Sequence, residues 1–410
     1  MSKERGEHGE PRAEATETVG SVHAFREAEK NFQRRLRPQY VTRGKLVEEA
    51  VDLSTVVDLT IAAFDENGTH RNERWGGIVC QERRRTGSAN DGGILVYSFE
   101  RHPGFFVVRH AMNDVLANKF AALCFSSDVL RPPATTNFNK SHELWINNLW
   151  EAAESNLRLV VDAVDDENHM DEKQARTRTT KWASNGTGPR AADFLASLRW
   201  ASIGPCYDWT KRVYLKDEDH VPLPEDMKSF AQHIWALVDD DTDRPSYAPN
   251  AALINYYREG DKLCGHTDDA EQDQTRPLVS ISLGCPGVFL MGGEHKHIVP
   301  TPLILRHGDV AVLSGDARRA FHGLPRIFPQ NRRHMLVNER GRPVQQRTGE
   351  NEEEEKEEGE QRTFKSDEDK LPCCVRYGSE AGNLTTTPGL SPGLTRYLLD
   401  CRVNISIRQV

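Results

Sequence analysis

From Ala251 onward, short apolar stretches alternate with turns: AALINYY, LVSISL, VFLM, LILR, VAVLS and, at the C-terminus, RVNISIR. Ser280 and Ser282 alternate with Val279, Ile281 and Leu283, the period-two pattern of a strand with two different faces. Regularly spaced strands of this kind predict an antiparallel double-sheet jelly roll. In the final strand Val403, Ile405 and Ile407 share one face, and Arg402, Asn404, Ser406 and Arg408 share the other. A strand that sets two arginines opposite an apolar face is not made for core packing alone.

Upstream the pattern turns helical. Phe25, Ala28, Phe32 and Leu36 fall on one helical face. His110 to Leu130 and Ser141 to Val164 predict two longer helices, the second carrying Leu144, Ile146, Leu149, Trp150, Leu157, Leu159 and Val160. ILVYSF and GFFVVRH, broken by His102-Pro103-Gly104, read as two short strands. Pro224 opens another helix, and Ser391 followed by Pro392 caps a short one just before the last strand.

Polar runs divide the chain. Residues 1–22 read as a disordered N-terminus and 23–189 as a mainly helical extension, with a polar insertion at Asp65 to Asp91 and a linker from 165. Residues 190–328 plus 391–410 form the strand-rich unit, interrupted at 329–390 by an acidic, then Thr/Pro/Gly-rich insertion. The expected fold is therefore α+β: a double-stranded β-helix, or jelly roll, buttressed by N-terminal helices.

Composition changes this picture little. With 37% hydrophobic and 28% charged residues among 410, the chain reads as soluble with disordered parts. No apolar run approaches the roughly 20 residues of a membrane helix. Eight cysteines without a C-x-x-C pair predict reduced thiols in an intracellular protein, and argue against a zinc site. The first twenty residues carry five Glu and resemble neither a secretory signal nor a typical presequence. Cytoplasm or nucleus is expected, with the mitochondrion left open. A net charge of −9 argues at first against a nucleic-acid partner, yet NEEEEKEEGE alone contributes −6, leaving −3 for the remainder. Arg306, Arg318, Arg319, Arg326, Arg332 and Arg333 suggest a basic rim suited to phosphate, or one that is merely solvated.

The candidate chemistry is a metal site at His266, Asp268 and His322. His-x-Asp occurs three times, at His169/Asp171, His266/Asp268 and His307/Asp309. The first lies in a polar run and the third at a Gly-Asp turn, so only the middle pair follows a strand. His322 comes 54 positions after Asp268, enough for several antiparallel strands to return the chain to the same place. Two imidazoles and one carboxylate leave coordination positions open, the arrangement of non-haem Fe(II) oxygenases. Guanidinium groups match carboxylates bidentately, so Arg402 and Arg408 suit a small dicarboxylate such as 2-oxoglutarate. Trp200, Tyr207, Trp209 and Tyr214, within LRWASIGPCYDWTKRVY, offer a stacking wall for a flipped or single-stranded base, or simply fill a hairpin core, the reading preferred for Trp200. Tyr207 and Trp209 are the substrate candidates. His295 and His297, in EHKH before Pro300 and Pro302, read as a surface turn.

Together, N-x-Y at Asn255 and Tyr257, H-x-D at His266 and Asp268, the histidine of SGDARRAFHG and the terminal R-x-N-x-x-x-R resemble the AlkB-type Fe(II)/2-oxoglutarate dioxygenases. NYYR, PLVSISLG, VFLMGG, FREAEKNFQRRLRP, HPGFFVV and LRWASIGPCYDW resemble the AlkB homologue 1 branch. The resemblance implies that His266, Asp268 and His322 hold iron, that Asn255, Tyr257, Arg402, Asn404 and Arg408 hold 2-oxoglutarate, and that Arg318 supports the metal ligands. It implies oxidation of methyl groups by molecular oxygen on a nucleic acid, tRNA or DNA, by a protein expected to be a monomer. Where bacterial members carry a substrate-reading acid two residues after the metal aspartate, this chain has Ala270, with Glu271 next as the candidate. Two alternatives stay open: a 2-oxoglutarate dioxygenase acting on a protein or small molecule, and a catalytically silent nucleic-acid-binding member.

Overall fold

The computed structural model describes residues 21–33, 51–83, 93–131, 133–138, 144–160, 178–208, 213–215, 220–238, 246–329 and 390–410, with short strands at 36–38, 46–48, 336–337 and 343–344. Trp209, His169, Asp171, Arg332 and Arg333 lie outside the described residues, as do most of 1–22 and of 329–390.

In chain order, helix α1 (Ala24–Phe32) is followed by strands β1 (Thr69–Asn72), β2 (Gly76–Arg83), β3 (Ile94–Phe99) and β4 (Phe105–Arg109). Helix α2 (Asp114–Leu123), strand β5 (Thr135–Thr136) and helices α3 (Leu149–Glu154) and α4 (Ala191–Ser197) come next. Strand β6 (Trp200–Ile203), the hairpin of β7 (Cys206–Asp208) and β8 (Val213–Leu215), and helix α5 (Glu225–Val238) lead to the strand-rich half. There β9 (Ala251–Tyr257), β10 (Leu263–His266), β11 (Leu278–Gly284), β12 (Gly287–Met291), β13 (Thr301–Leu305), β14 (Val310–Leu313) and β15 (His322–Ile327) precede helix α6 (Pro392–Asp400) and strand β16 (Arg402–Arg408).

Two sheets result. The larger has ten strands in the order β1-β2-β3-β4-β14-β11-β16-β9-β6-β5, and the smaller four in the order β10-β15-β12-β13. The neighbouring pairs are antiparallel in both, as a jelly roll requires. Phe105, Val107, Leu278 and Leu313 of the large sheet meet Phe289, Met291, Leu303 and Leu305 of the small one in the core between them. On the other face of the large sheet, Val403, Ile405, Ile407 and Ile281 pack with Ala117 and Phe120 of α2 and Met227, Phe230 and Ile234 of α5. The alternation read in β16 is thus used in full: its apolar side faces the helices, and its arginines face the space between the sheets. Among the described residues no helix is long and apolar enough to cross a membrane.

The N-terminal third differs from expectation. Among the described residues, 23–189 is not mainly helical, because β1 to β4 extend the large sheet through the pairing of β4 with β14. Asp65 to Asp91, read as an insertion, contains β1 and β2; they lie toward the sheet's free edge, where polar side chains on both faces hide the period-two signal. Helix α2 occupies only the middle of the span His110 to Leu130, starting where the Asn113 side chain accepts a hydrogen bond from the Leu116 amide. Of the helix expected over Ser141 to Val164, the described residues 144–160 keep only α3. Asn148 (φ 48°) and Asn156 (φ 52°) take left-handed conformations on either side of it and break the helical run. The flanking segments Leu144–Trp145 and Arg158–Leu159 pair as short strands with Arg178–Thr179 and Trp182–Ala183.

Candidate active site

His266 ends β10 and His322 begins β15, and the antiparallel register sets them directly opposite each other. Their ring centroids are 4.5 Å apart. Asp268 lies two residues beyond the end of β10, and its carboxylate comes to 3.8 Å from His266 Nε2 and 3.5 Å from His322 Nε2. Backbone carbonyls fix the tautomers: His266 Nδ1 donates to Cys264 O (3.0 Å) and His322 Nδ1 to Ala320 O (3.2 Å). A carbonyl can only accept, so each Nδ1 carries the proton and each Nε2 keeps its lone pair for a ligand.

Electrostatics favour the same forms. Burial, and then His322, lower the His266 imidazole below its ordinary range despite Asp268. Burial alone would raise the Asp268 carboxyl, but Arg408, followed by His322 and His266, outweighs it and holds the group well below its ordinary value. Among the described residues this is the one group of three His, Cys, Asp or Glu whose donor atoms converge, all within 4.8 Å of one another. Two imidazole nitrogens and one carboxylate oxygen on one side of a point fit Fe(II) with positions to spare. His307 and Asp309 play other parts. His307 Nδ1 accepts from the Gly284 amide, and Asp309 pairs with Arg109 at 3.1 Å. His295 is exposed beside His297, as a surface turn requires.

The three residues open onto a cavity of about 480 Å³ lined also by Asn255, Tyr257, Arg402, Asn404 and Arg408. Asn255 and Tyr257 come from β9, which pairs with β16 so that Asn255 stands against Asn404 and Tyr257 against Arg402. Burial raises the Tyr257 hydroxyl, keeping it protonated as a donor. Asn404 is already engaged: its amide donates to Ser280 Oγ and Ile281 O, and its carbonyl accepts from Ser406 Oγ.

Arg402 is 1% exposed. Its guanidinium donates to Cys285 O, Leu305 O and Ser282 Oγ, while Nε has no partner. No carboxylate pairs with it among the described residues, and burial pushes it down to about 10, so it stays charged at neutral pH. A buried cation that lacks an anion is costly unless a ligand brings one, and a small carboxylic acid is the fitting ligand.

Arg408 differs. It pairs with Glu271 at 2.7 Å and lies 3.5 Å from the Asp268 carboxylate. Glu271 also holds Arg318 at 2.7 Å, and Arg318 donates to the Asp268 carbonyl. The candidate reading of Glu271 as a substrate contact is therefore corrected. It is 4% exposed, does not line the cavity, and spends both carboxylate oxygens on arginines that brace Asp268. Burial would raise its carboxyl, but Arg408 and then Arg318 outweigh that and hold it below the usual range. This contribution to stability is complete above the ordinary glutamate range and fades as pH falls through the depressed value. Glu271→Ala leaves Arg318 without its carboxylate and Arg408 with only the more distant Asp268. The expected cost is about 3–5 kcal/mol, read as a lower denaturant midpoint at unchanged slope.

Tyr207 and Tyr214 face each other across the β7–β8 hairpin, ring centroids 5.1 Å apart, and both line the cavity. The Tyr214 hydroxyl also reaches Glu271 (3.3 Å) and Arg408 (3.4 Å). Tyr214 was one of the aromatics offered as a stacking wall, and its contacts to Glu271 and Arg408 were not foreseen; Ser282 was not singled out from sequence as a site residue. Ser282 was legible as one of the inward positions of LVSISLG, whereas Tyr214 depends on where the hairpin folds. The basic rim is corrected for three of its six arginines, while Arg319 is exposed. Arg306, Arg318 and Arg326 are buried, and Arg306 pairs with Asp58 at 2.7 Å.

Comparison with known proteins agrees with this geometry. Residues 144–408 match the 2OG-Fe(II) oxygenase superfamily. The chain is 31% identical over 313 residues to the DNA N(6)-methyladenine demethylase ALKBH1A of Arabidopsis thaliana, covering 74% of this chain and 84% of the relative. To the tRNA demethylase abh1 of Schizosaccharomyces pombe it is 28% identical over 247 residues, 59% of this chain and 74% of that one. To the human nucleic acid dioxygenase ALKBH1 it is 32% identical over 143 residues, 35% of this chain and 36% of that one.

Proposed function

We propose that this chain, which belongs to the 2OG-Fe(II) oxygenase superfamily and within it to the AlkB homologue 1 branch, oxidises methyl groups on the bases of a nucleic acid, tRNA or DNA. It is an oxidoreductase that takes Fe(II) as cofactor and 2-oxoglutarate as cosubstrate. When bound, these supply the oxidation: one atom of dioxygen goes into succinate as 2-oxoglutarate loses carbon dioxide, and the other enters the methyl C–H bond as a hydroxyl. On nitrogen the resulting hydroxymethyl group breaks its C–N bond, leaving the base with N–H and releasing formaldehyde.

The observation that carries this reading is that His266, Asp268 and His322 face the same cavity as Arg402, a buried arginine with no carboxylate partner among the described residues. In the proposal the triad holds iron. Arg402, with the Tyr257 hydroxyl and Asn255 nearby, takes the far carboxylate of 2-oxoglutarate. Arg408, held between Glu271 and Asp268, sits toward the metal-bound end, and Asn404 keeps that face of the sheet in order. Arg318 orients the Asp268 backbone. Residues 190–328 plus 391–410 would then supply the catalytic residues, with β1 to β4 extending their large sheet and helix α2 packed on its outer face.

The names of the relatives support the nucleic-acid part, and the aromatic hairpin supplies a surface on which a base could stack. The test is the full chain with Fe(II), 2-oxoglutarate and oxygen against a panel of methylated and unmethylated tRNA and DNA oligonucleotides. Succinate and formaldehyde should rise with methylated strands only. Tyr207→Ala should raise the half-saturating oligonucleotide concentration about tenfold, as loss of about 1–3 kcal/mol of stacking implies, without changing turnover of 2-oxoglutarate alone. Turnover indifferent to every nucleic acid would discard this substrate and turn attention to a protein or small molecule.

A further inference from the structure

Helix α1 carries a buried acid that the chemistry above does not use. Glu29 is 3% exposed, on the same helical face as the buried Phe25 and Phe32. Its Oε2 pairs with Arg26 at 2.8 Å. Its Oε1 accepts from the backbone N–H of Gly265, the residue immediately before His266. The need for that bond follows from the sheet. Strand β10 is the edge of the four-stranded sheet, and its register against β15 slips between Leu263 and His266. A slip of this kind leaves part of the ladder unpaired at the residue that must present an imidazole. Glu29 takes up the amide left over.

Phe25 completes the grip. A Cβ on Gly265 would come within 2.3 Å of its ring, and one on Gly292 within 2.9 Å, so both glycines are sites of close approach by α1. The Phe25 amide donates to Lys296 O, and its ring meets that of Phe321 at 6.3 Å. Phe321 precedes His322 directly. One helix therefore touches the residue before each of the two facing histidines.

We infer that Glu29 is a positioning residue for the metal site, fixing the irregular end of β10 so that His266 stays aimed at the point shared with Asp268 and His322. This rests on the reading of those three residues as the iron ligands. Groups hydrogen-bonded directly to a metal ligand change affinity by about 10–100-fold when removed. Glu29 acts one residue farther along the chain, through the Gly265 amide, so the lower end of that range is expected.

The experiment is an anaerobic titration of the full-length apoprotein with Co(II) as a probe for Fe(II), followed by its visible ligand-field absorption, with circular dichroism of each variant beforehand. Glu29→Ala should bind Co(II) about tenfold more weakly and with a changed ligand-field spectrum. Glu29→Gln, whose amide oxygen can still accept from Gly265, should recover most of the affinity. Glu29→Met fills the same space without an acceptor; it should repeat the alanine result, and it stands in for alanine if that variant does not fold. Wild-type affinity and spectrum in a folded Glu29→Ala or Glu29→Met would overturn the role of Glu29 and leave the iron site intact. Failure of the wild-type protein to bind Co(II), or binding undiminished in His266→Ala, would instead overturn the iron site, and this inference with it.

Discussion

His266→Ala and Asp268→Ala are each expected to abolish iron-dependent conversion of 2-oxoglutarate to succinate, lowering it by more than about 100-fold while the fold survives. Loss of a partner one bond removed from a metal already costs up to about that factor, and loss of a direct ligand costs more. Survival of the fold follows from what each side chain does without metal. His266 ends an edge strand, and its Nδ1 contact is to a carbonyl two residues away. Asp268 lies near Arg408, but that arginine keeps Glu271 at 2.7 Å when Asp268 is gone. His266→Ala removes no buried charge, whereas Asp268→Ala leaves Arg318 and Arg408 to share Glu271 and should lower the thermal melt without preventing folding. Circular dichroism of both apoproteins should stay close to wild type, while metal content after anaerobic loading drops. Turnover retained in both variants would show that iron is held elsewhere.

Legibility in the sequence followed the range of the interactions. The last strand could be read because its information is local: alternation at period two assigns Arg402, Asn404, Ser406 and Arg408 to one face without knowledge of the neighbours. Helix α6 was likewise announced by Ser391 and Pro392. The triad was half legible. His-x-Asp occurs three times, and what separates the middle pair is the cross-strand register of His266 with His322, which a local pattern does not encode. Glu271 was misread because its partners, Arg318 and Arg408, stand 47 and 137 positions away. Glu29 looked like an ordinary polar position of an amphipathic helix, since the unpaired amide it serves belongs to an irregularity in a distant strand. The helix expected over Ser141 to Val164 failed at Asn148 and Asn156, two residues that tolerate left-handed backbone and so can end a periodic run without proline or glycine.

Substitution of Arg402 should separate binding of 2-oxoglutarate from stability in opposite directions. In the apoprotein its guanidinium is buried and charged, satisfied only by two carbonyls and a hydroxyl, and burial has already lowered it to about 10. Such a group costs the fold free energy, and replacing it with an apolar side chain of similar length removes the cost. Arg402→Met is therefore expected to leave the apoprotein as stable as wild type or more so. The ligand-bound state behaves differently, because a charge-assisted pair with a carboxylate is worth about 1.5–3 kcal/mol. Its loss should raise the half-saturating concentration of 2-oxoglutarate by about 10–100-fold, with kcat at saturation far less affected. The thermal shift that 2-oxoglutarate gives the metal-loaded wild type should shrink in step. Arg402→Lys keeps the charge but not the planar fork, and should fall between the two. An unchanged requirement for 2-oxoglutarate in Arg402→Met would mean that the far carboxylate is bound by another residue. A large drop in apoprotein stability would mean that Arg402 holds the two sheets together through Cys285, Leu305 and Ser282, its polarity serving the fold before the ligand.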